Sequence, residues 1–281
     1  MGLCDVCHEP VESGVLEMDY ACCVCLEHFS ADERERLEME LELSTKVQQA
    51  LLPQQIIEIP GMEVAAFSRP AAIVGGDYFD FYHFHDGAYG LLIGDVAGHG
   101  MAASMIMASL QASLRILVPE YDEPQQVMQR LNHLFYHNIN MTNFVSLFLA
   151  HFDPWTRRLT YSNAGHNPPL LYRHAADSEP PIVWLQPTGA AIGLVEEAIF
   201  TKAAVTLAPG DILLLYTDGV TEAMDEKGEE FGPQRLVEVV QQHADRPVQG
   251  LVSHLRRSIQ NFTGGRSLAD DTTIVAYCSR P

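Results

Sequence analysis

The sequence is short of positive charge: 17 Lys and Arg stand against 37 Asp and Glu, a formal net charge of -20 with the 12 His taken as neutral. Such a surface repels a phosphate backbone or an anionic membrane, which excludes a nucleic-acid binder as the ordinary reading. No apolar run reaches the roughly 18–20 residues that a membrane-spanning helix needs. The first residues hold no basic stretch followed by an apolar core, so no secretory leader is expected and the expected address is the cytoplasm. No glycine-rich phosphate loop turns up, of either the lysine-containing or the dinucleotide kind. Beyond Cys25 only Cys278 remains of the cysteines, and a small strand residue accounts for it.

What is present divides the chain into three stretches: residues 1–29, 30–53 and 54–281. The first carries Cys4-x-x-Cys7 and Cys22-x-x-Cys25, separated by residues 8–21. That is close to the spacing of structural zinc sites in which four thiolates surround one tetrahedral ion. So small a segment has no core to fold on without the metal. Cys23, His8 and His28 are further donors, and a redox dithiol or disulfides are the competing readings.

Residues 30–52 read as a helix. Ser30-x-x-Glu33 is a capping-box pattern, acids crowd the first turns, and Pro53 ends the segment. Leu37, Leu41, Ser44, Gln48 and Leu51 form one seam, and Met39, Leu43, Val47 and Ala50 lie beside it. Two polar residues in the first seam make a poor permanent coiled coil, which fits a switchable homodimer contact. Packing of the helix on its own domain is the plainer alternative.

From Gly61 the pattern becomes strands with long helices between them. The expected strands are 62–67, 78–84, 89–93, 144–152, 158–162, 170–172, 182–185, 200–207, 212–216 and 272–277. Helices are expected after His99, from about Pro124 to Asn140, and over 233–242 and 248–261. Many meander strands with paired helices predict an α+β fold of antiparallel sheets covered by helices.

Four acidic motifs lie beside predicted strands: Gly75-Gly76-Asp77-Tyr78-Phe79-Asp80, Gly94-Asp95, Thr217-Asp218-Gly219 and Asp270-Asp271-Thr272-Thr273. A lone Asp in a turn satisfies backbone amides more often than it holds a metal. Four at strand ends that can neighbour in a sheet are different. Hard oxygen ligands there suit Mg²⁺ or Mn²⁺, and two such ions about 3.5–4 Å apart activate water and clamp a phosphoryl group.

In this order, Val74–Asp80, Gly94-Asp-Val-Ala-Gly-His-Gly100, Ser162-Asn-Ala-Gly-His-Asn-Pro-Pro169, Tyr216-Thr-Asp-Gly-Val-Thr-Glu222 and Asp270–Thr273 resemble a known family. It is the bacterial, sporulation-protein-E-like branch of the metal-dependent (PPM, type 2C) serine/threonine phosphatases. Leu43–Pro53 is similar to the linker joining sensor domains to that phosphatase in stress regulators. The resemblance covers about residues 43–278. It implies a four-layer sandwich of two antiparallel sheets flanked by helices. It also implies two Mn²⁺ or Mg²⁺ ions and hydrolysis of phosphoserine or phosphothreonine by a metal-activated water, without a phosphoenzyme.

Carried over, Asp95 bridges both ions, the Val96 carbonyl helps hold one, and Asp77, Asp218 and Asp270 are the other carboxylate ligands. Asp95 and Asp77 are the catalytic candidates, while Asp80 and Asp271 are neighbouring, structural acids. Ala97 and Gly165-His166 depart from the eukaryotic branch, so His99, His166 and Arg69 receive no catalytic role. The substrate implied is a phosphorylated regulatory protein such as an anti-sigma-factor antagonist, with the N-terminal module as regulator. The rival from another class is a catalytically inactive phosphatase-like scaffold.

Overall fold

The computed structural model describes residues 28–138, 144–174, 181–266 and 268–280. Cys4, Cys7, Cys22 and Cys25, with Cys23 and His8, lie outside the described residues, and so does the zinc-knuckle expectation.

Helix α1 (Ala31–Leu51) begins at the anticipated capping box. Ser30 Oγ accepts from the Glu33 N–H at 3.3 Å, and a Glu33 carboxylate oxygen accepts from the Ser30 N–H at 2.8 Å. The strands β1 (Met62–Arg69), β2 (Tyr78–His83) and β3 (Tyr89–Val96) follow. Next come α2 (Gly100–Leu117), a 3₁₀ turn at Val118–Glu120, and α3 (Pro124–Asn138). The meander is β4 (Val145–Asp153), β5 (Arg158–Ala164), β6 (Leu170–Tyr172), β7 (Ile182–Trp184), β8 (Ala203–Thr206) and β9 (Ile212–Tyr216). The short helix α4 (Asp218–Thr221), then α5 (Gly232–His243), α6 (Val248–Phe262) and β10 (Thr272–Ser279) complete the chain.

Two five-stranded antiparallel sheets result, in the orders β1-β10-β9-β6-β7 and β2-β3-β4-β5-β8. Because strand side chains alternate, each sheet buries two faces. Between the sheets, Phe79, Phe81, Leu91 and Ile93 meet Leu213, Leu215, Val275 and Tyr277. On the outer face of the second sheet, Leu92, Leu147 and Leu149 pack against Met107, Leu110 and Leu114 of α2 and Leu131 of α3. On the outer face of the first, Leu214, Ile274 and Ala276 pack against Leu251, Leu255 and Ile259 of α6. The four-layer sandwich expected from sequence is what forms.

Several expectations need adjusting. The strand anticipated over 200–207 is confined to Ala203–Thr206, and β3 runs through Asp95 instead of stopping before it. Helix α4 was not anticipated, because a single turn leaves no periodicity to read. Gly100–Glu120 has the length and apolarity of a membrane span, although Ala103, Met107, Leu110 and Leu114 are buried in the core.

The linker helix also turns out differently. It buries no residue fully, and the seam of Leu37, Leu41, Ser44, Gln48 and Leu51 is the half-buried one, on the side that faces its own domain. The stripe left open is the second, with Met39, Leu43 and Val47 more than half exposed. Of the two polar seam residues, read as weak points of a dimer contact, Gln48 bonds to Gly75 of the domain, while Ser44 Oγ donates to the Glu40 carbonyl of its own helix.

Candidate active site

Asp77 lies just before β2 and Asp95 near the end of β3. Asp77 shares side-chain parity with Phe79 and Phe81, and Asp95 with Leu91 and Ile93. Both therefore face the space between the sheets. Asp218 opens α4 directly after β9, and Asp270 precedes β10. β9 and β10 are paired neighbours, so their ends deliver Asp218 and Asp270 together. The fit is close: a Cβ on Gly219 would stand 2.0 Å from the Asp271 carbonyl oxygen, so only glycine lets α4 lie against the start of β10.

A network ties the two sheets at this end. Thr217 Oγ1 donates to a carboxylate oxygen of Asp77 at 2.8 Å and accepts from the Thr273 N–H at 3.0 Å. Thr273 Oγ1 in turn donates to Ser68 Oγ at 2.9 Å. Asp271, 2% exposed, accepts from the Ala71 N–H at 2.8 Å and the Gly76 N–H at 2.6 Å, fixing the loop that presents Asp77. A Cβ on Gly75 would overlap that carboxylate at 2.2 Å, and one on Gly76 would stand 3.0 Å from the Val96 carbonyl oxygen. The Val96 carbonyl thus lies beside the backbone leading into Asp77. Asp271 is the structural acid of its pair, as anticipated.

Asp80 is structural too, and for a reason the alternation of β2 supplies. It stands on the face opposite Asp77, with Tyr78 and Tyr82, and is 2% exposed. It accepts from Tyr78 Oη at 2.6 Å, the Phe81 N–H at 2.8 Å and Arg115 Nη2 at 2.7 Å.

The remaining acids have no arginine partner among the ion pairs of the described residues. Burial, reinforced by repulsion from Asp77, Asp218, Asp270 and Asp271, pushes Asp95 up to about 9. Burial and Asp270 push Asp218 up to about 6, and burial raises Asp77 well above the usual carboxylate range against its Thr273 and Thr217 hydrogen bonds. Among the described residues no three such side chains already converge as a ready coordination shell. A donor set of carboxylate and carbonyl oxygens is nevertheless what Mg²⁺ or Mn²⁺ selects, and the residues fit such ions.

His166 is 2% exposed, with Nδ1 2.7 Å from Ser146 Oγ, and burial lowers it to about 4, so the ring is neutral near pH 7. Its Nε2 points toward the Tyr216 backbone without a well-formed hydrogen bond. Ser146 pairs in register with Asp95, so His166 stands one residue from the cluster, held by Asn163, whose Oδ1 accepts from the His166 N–H at 2.8 Å. His99 is exposed at the N-terminus of α2 and makes no side-chain cap there. Arg69 lies at the end of β1, opposite Thr272.

Sequence reading missed Gln48, Ser146, Thr217 and Thr273. The two threonines lie within motifs already singled out, whereas Ser146 is found only through the β3–β4 register. Gln48 is the least expected: its Nε2 donates to the Gly75 carbonyl at 2.5 Å and its Oε1 accepts from the Gly75 N–H at 3.0 Å. The linker helix thereby grips the backbone two residues before Asp77.

Residues 85–280 match the family described as stage II sporulation protein E (SpoIIE). The chain is 26% identical over 245 residues to the phosphoserine phosphatase RsbU of Bacillus subtilis, covering 86% of this chain and 70% of that one. It is 26% identical over 240 residues to the phosphoserine phosphatase RsbP of the same organism, covering 84% of this chain and 57% of that one. Among solved structures, the SiaA-PP2C domain of Pseudomonas aeruginosa superposes with a TM-score of 0.77 at 21% identity, over 89% of this chain and 99% of that one. The motif order, the two-sheet sandwich and the matched stretch agree: the chain belongs to the SpoIIE family and carries its PP2C-type serine/threonine phosphatase domain.

Proposed function

We propose that this protein hydrolyses phosphoserine or phosphothreonine on a regulatory protein, using two Mn²⁺ or Mg²⁺ ions held by Asp77, Asp95, Asp218, Asp270 and the Val96 carbonyl. The observation that carries the reading is the cluster of carboxylates at the sheet ends, in which burial and repulsion from neighbouring acids raise Asp95 and Asp218. When bound, such ions activate a water and offset phosphoryl charge. The chain's own residues do the rest. Thr217 and Thr273 aim Asp77, Asp271 fixes its loop, and Asp95 gives up its proton as cations enter. His166, neutral and buried, serves as a positioning group through Ser146 and not as a proton donor.

The substrate class rests on the family resemblance and on what RsbU and RsbP are named for: a phosphorylated small regulator such as an anti-sigma-factor antagonist. The finer reading gives the stretch 1–29 one structural zinc on Cys4, Cys7, Cys22 and Cys25. It gives 30–53 a homodimer contact through Met39, Leu43 and Val47, by which the N-terminal module regulates the phosphatase domain over 54–281.

One anaerobic preparation of the full chain tests the set. Phosphate release from phosphoproteins requires Mn²⁺ and stops with a chelator, elemental analysis finds one zinc per chain, and sedimentation finds a dimer that Leu43→Glu dissociates. No phosphate release leaves a phosphatase-like binding module. Absence of zinc, or a monomer at all concentrations, removes the corresponding part.

A further inference from the structure

A chain with 37 acids and 17 basic residues nevertheless gathers three arginines, Arg69, Arg256 and Arg266, around one pocket of about 310 Å³. No acid lines it, and Phe67, Leu268 and Thr272 supply much of the rest. Arg69 ends β1, Arg256 is on α6 and Arg266 follows that helix, so the end of β1 meets the stretch from α6 to β10. Among the described residues none of the three is ion-paired. Arg256 is held over the Phe67 ring at 3.9 Å from its centroid, which fixes the guanidinium without neutralising it.

A second observation points to an occupant. Thr272 is 1% exposed, and its Oγ1 is buried with no hydrogen-bond partner. Thr272 has the parity of Ile274 and Ala276, which face α6, so its hydroxyl belongs to the outer side of the sheet, where the pocket lies. A buried hydroxyl left unpaired is costly unless a ligand or water meets it.

The pocket adjoins the carboxylate cluster. Leu268 and Thr272 straddle Asp270, and Thr273, next in the strand, joins the Asp77 network on the other face. A peptide crossing this end of the sandwich reaches both within a few residues at about 3.3–3.6 Å each.

We propose that this pocket is a substrate-docking subsite that takes a carboxylate side chain of the phosphoprotein, a few residues from the phosphorylated position. The inference rests on the phosphatase reading and adds the substrate's class: a phosphosite with acidic flanks. Guanidinium forks pair with carboxylates in bidentate geometry, and the apolar wall accepts the methylenes of Glu. The arginines also give an anionic segment a foothold on a protein whose net charge otherwise repels it.

The test compares a phosphoserine peptide flanked on both sides by Glu with its Ala-flanked counterpart, using full-length protein in Mn²⁺. The Glu peptide has a KM lower by about tenfold at low salt, and the advantage shrinks in 0.5 M NaCl. Arg256→Ala and Arg266→Ala each cut that ratio by about threefold, through the KM of the Glu peptide. The ratio is internal to each variant, so partial misfolding does not mimic the effect. Equal KM values for the two peptides, or a ratio that survives both substitutions, overturns the proposal. para-Nitrophenyl phosphate, which has no flanks, reports separately on the phosphatase reading. If it and both peptides go unhydrolysed, that reading fails. Calorimetry with the unphosphorylated Glu peptide then still reads the pocket, and binding no tighter than the Ala peptide overturns it.

Discussion

Two sets of aspartates in this molecule look alike in sequence and have opposite fates. Asp80 and Asp211 are 2% and 1% exposed and each has a complete set of partners. Asp80 has Arg115, Tyr78 and the Phe81 amide. Asp211 has Arg173 at 2.6 Å and the amides of His174 and Ala208. Asp77, Asp95 and Asp218 are surrounded by acids instead, and burial with repulsion drives them upward. A buried carboxylate with an arginine holds the protein together. Clustered carboxylates that repel one another suit, on the proposed reading, a cation from outside.

The sharpest way to break this comparison is to neutralise one member of each set. Asp95→Asn lowers Mn²⁺-dependent turnover about a thousandfold if Asp95 bridges the ions as proposed, because that charge is then lost. The metal-free fold keeps wild-type stability, since the protonated acid and the amide are both neutral at pH 7. Asp80→Asn does the reverse. It costs about 2–3 kcal/mol by stripping Arg115 of its counter-ion, while turnover keeps its order of magnitude. Thermal melts and kcat on both variants check this, and equal behaviour of the two removes the distinction.

A smaller effect should appear with pH. In the metal-free protein Asp95 and Asp218 titrate near 9 and 6, above an unfolded value of about 3.9. The folded chain then binds more protons than the unfolded one. Stability from these groups is full below about pH 4 and is lost as pH rises through 6 and 9. Mn²⁺ offsets the repulsion and competes with those protons, so the gap in Tm between Mn²⁺-loaded and chelator-treated protein widens from pH 6 to pH 9. Differential scanning calorimetry measures it, and a constant gap means that the cluster is not charge-frustrated.

The smallest effect concerns the scaffold of the cluster. Gln48→Ala removes both hydrogen bonds to Gly75 and loosens the approach to Asp77, so the Mn²⁺ concentration for half-maximal turnover rises about threefold to tenfold. An unchanged Mn²⁺ dependence would make the grip of α1 on this loop incidental.

The elements themselves were legible in the chain. Short continuous apolar runs marked β6 and β9 at the residues where they form, and three-and-four spacing marked the buried face of α2. These are local patterns, a run buried on both faces and a helical turn, and they survive folding unchanged. The acidic motifs were legible as well, because glycines beside Asp77 and Asp218 leave no room for another residue. The fate of Asp80 was partly legible: period two places it opposite Asp77, but Arg115 comes from another element.

Only the tertiary structure decided the rest. Sheet order brings β9 and β10 together and so joins Asp218 to Asp270, while register sets Ser146 across from Asp95. Which stripe of α1 turns inward depended on a hydrogen bond to Gly75, which helix periodicity cannot express. The arginine pocket joins residues 67–69 to residues 256–272, two stretches far apart in the chain. The physical reason is common to all of these: alternation and spacing fix which way a side chain points within its own element. Charge pairing, desolvation and pocket shape depend on distances between elements, and only folding sets those.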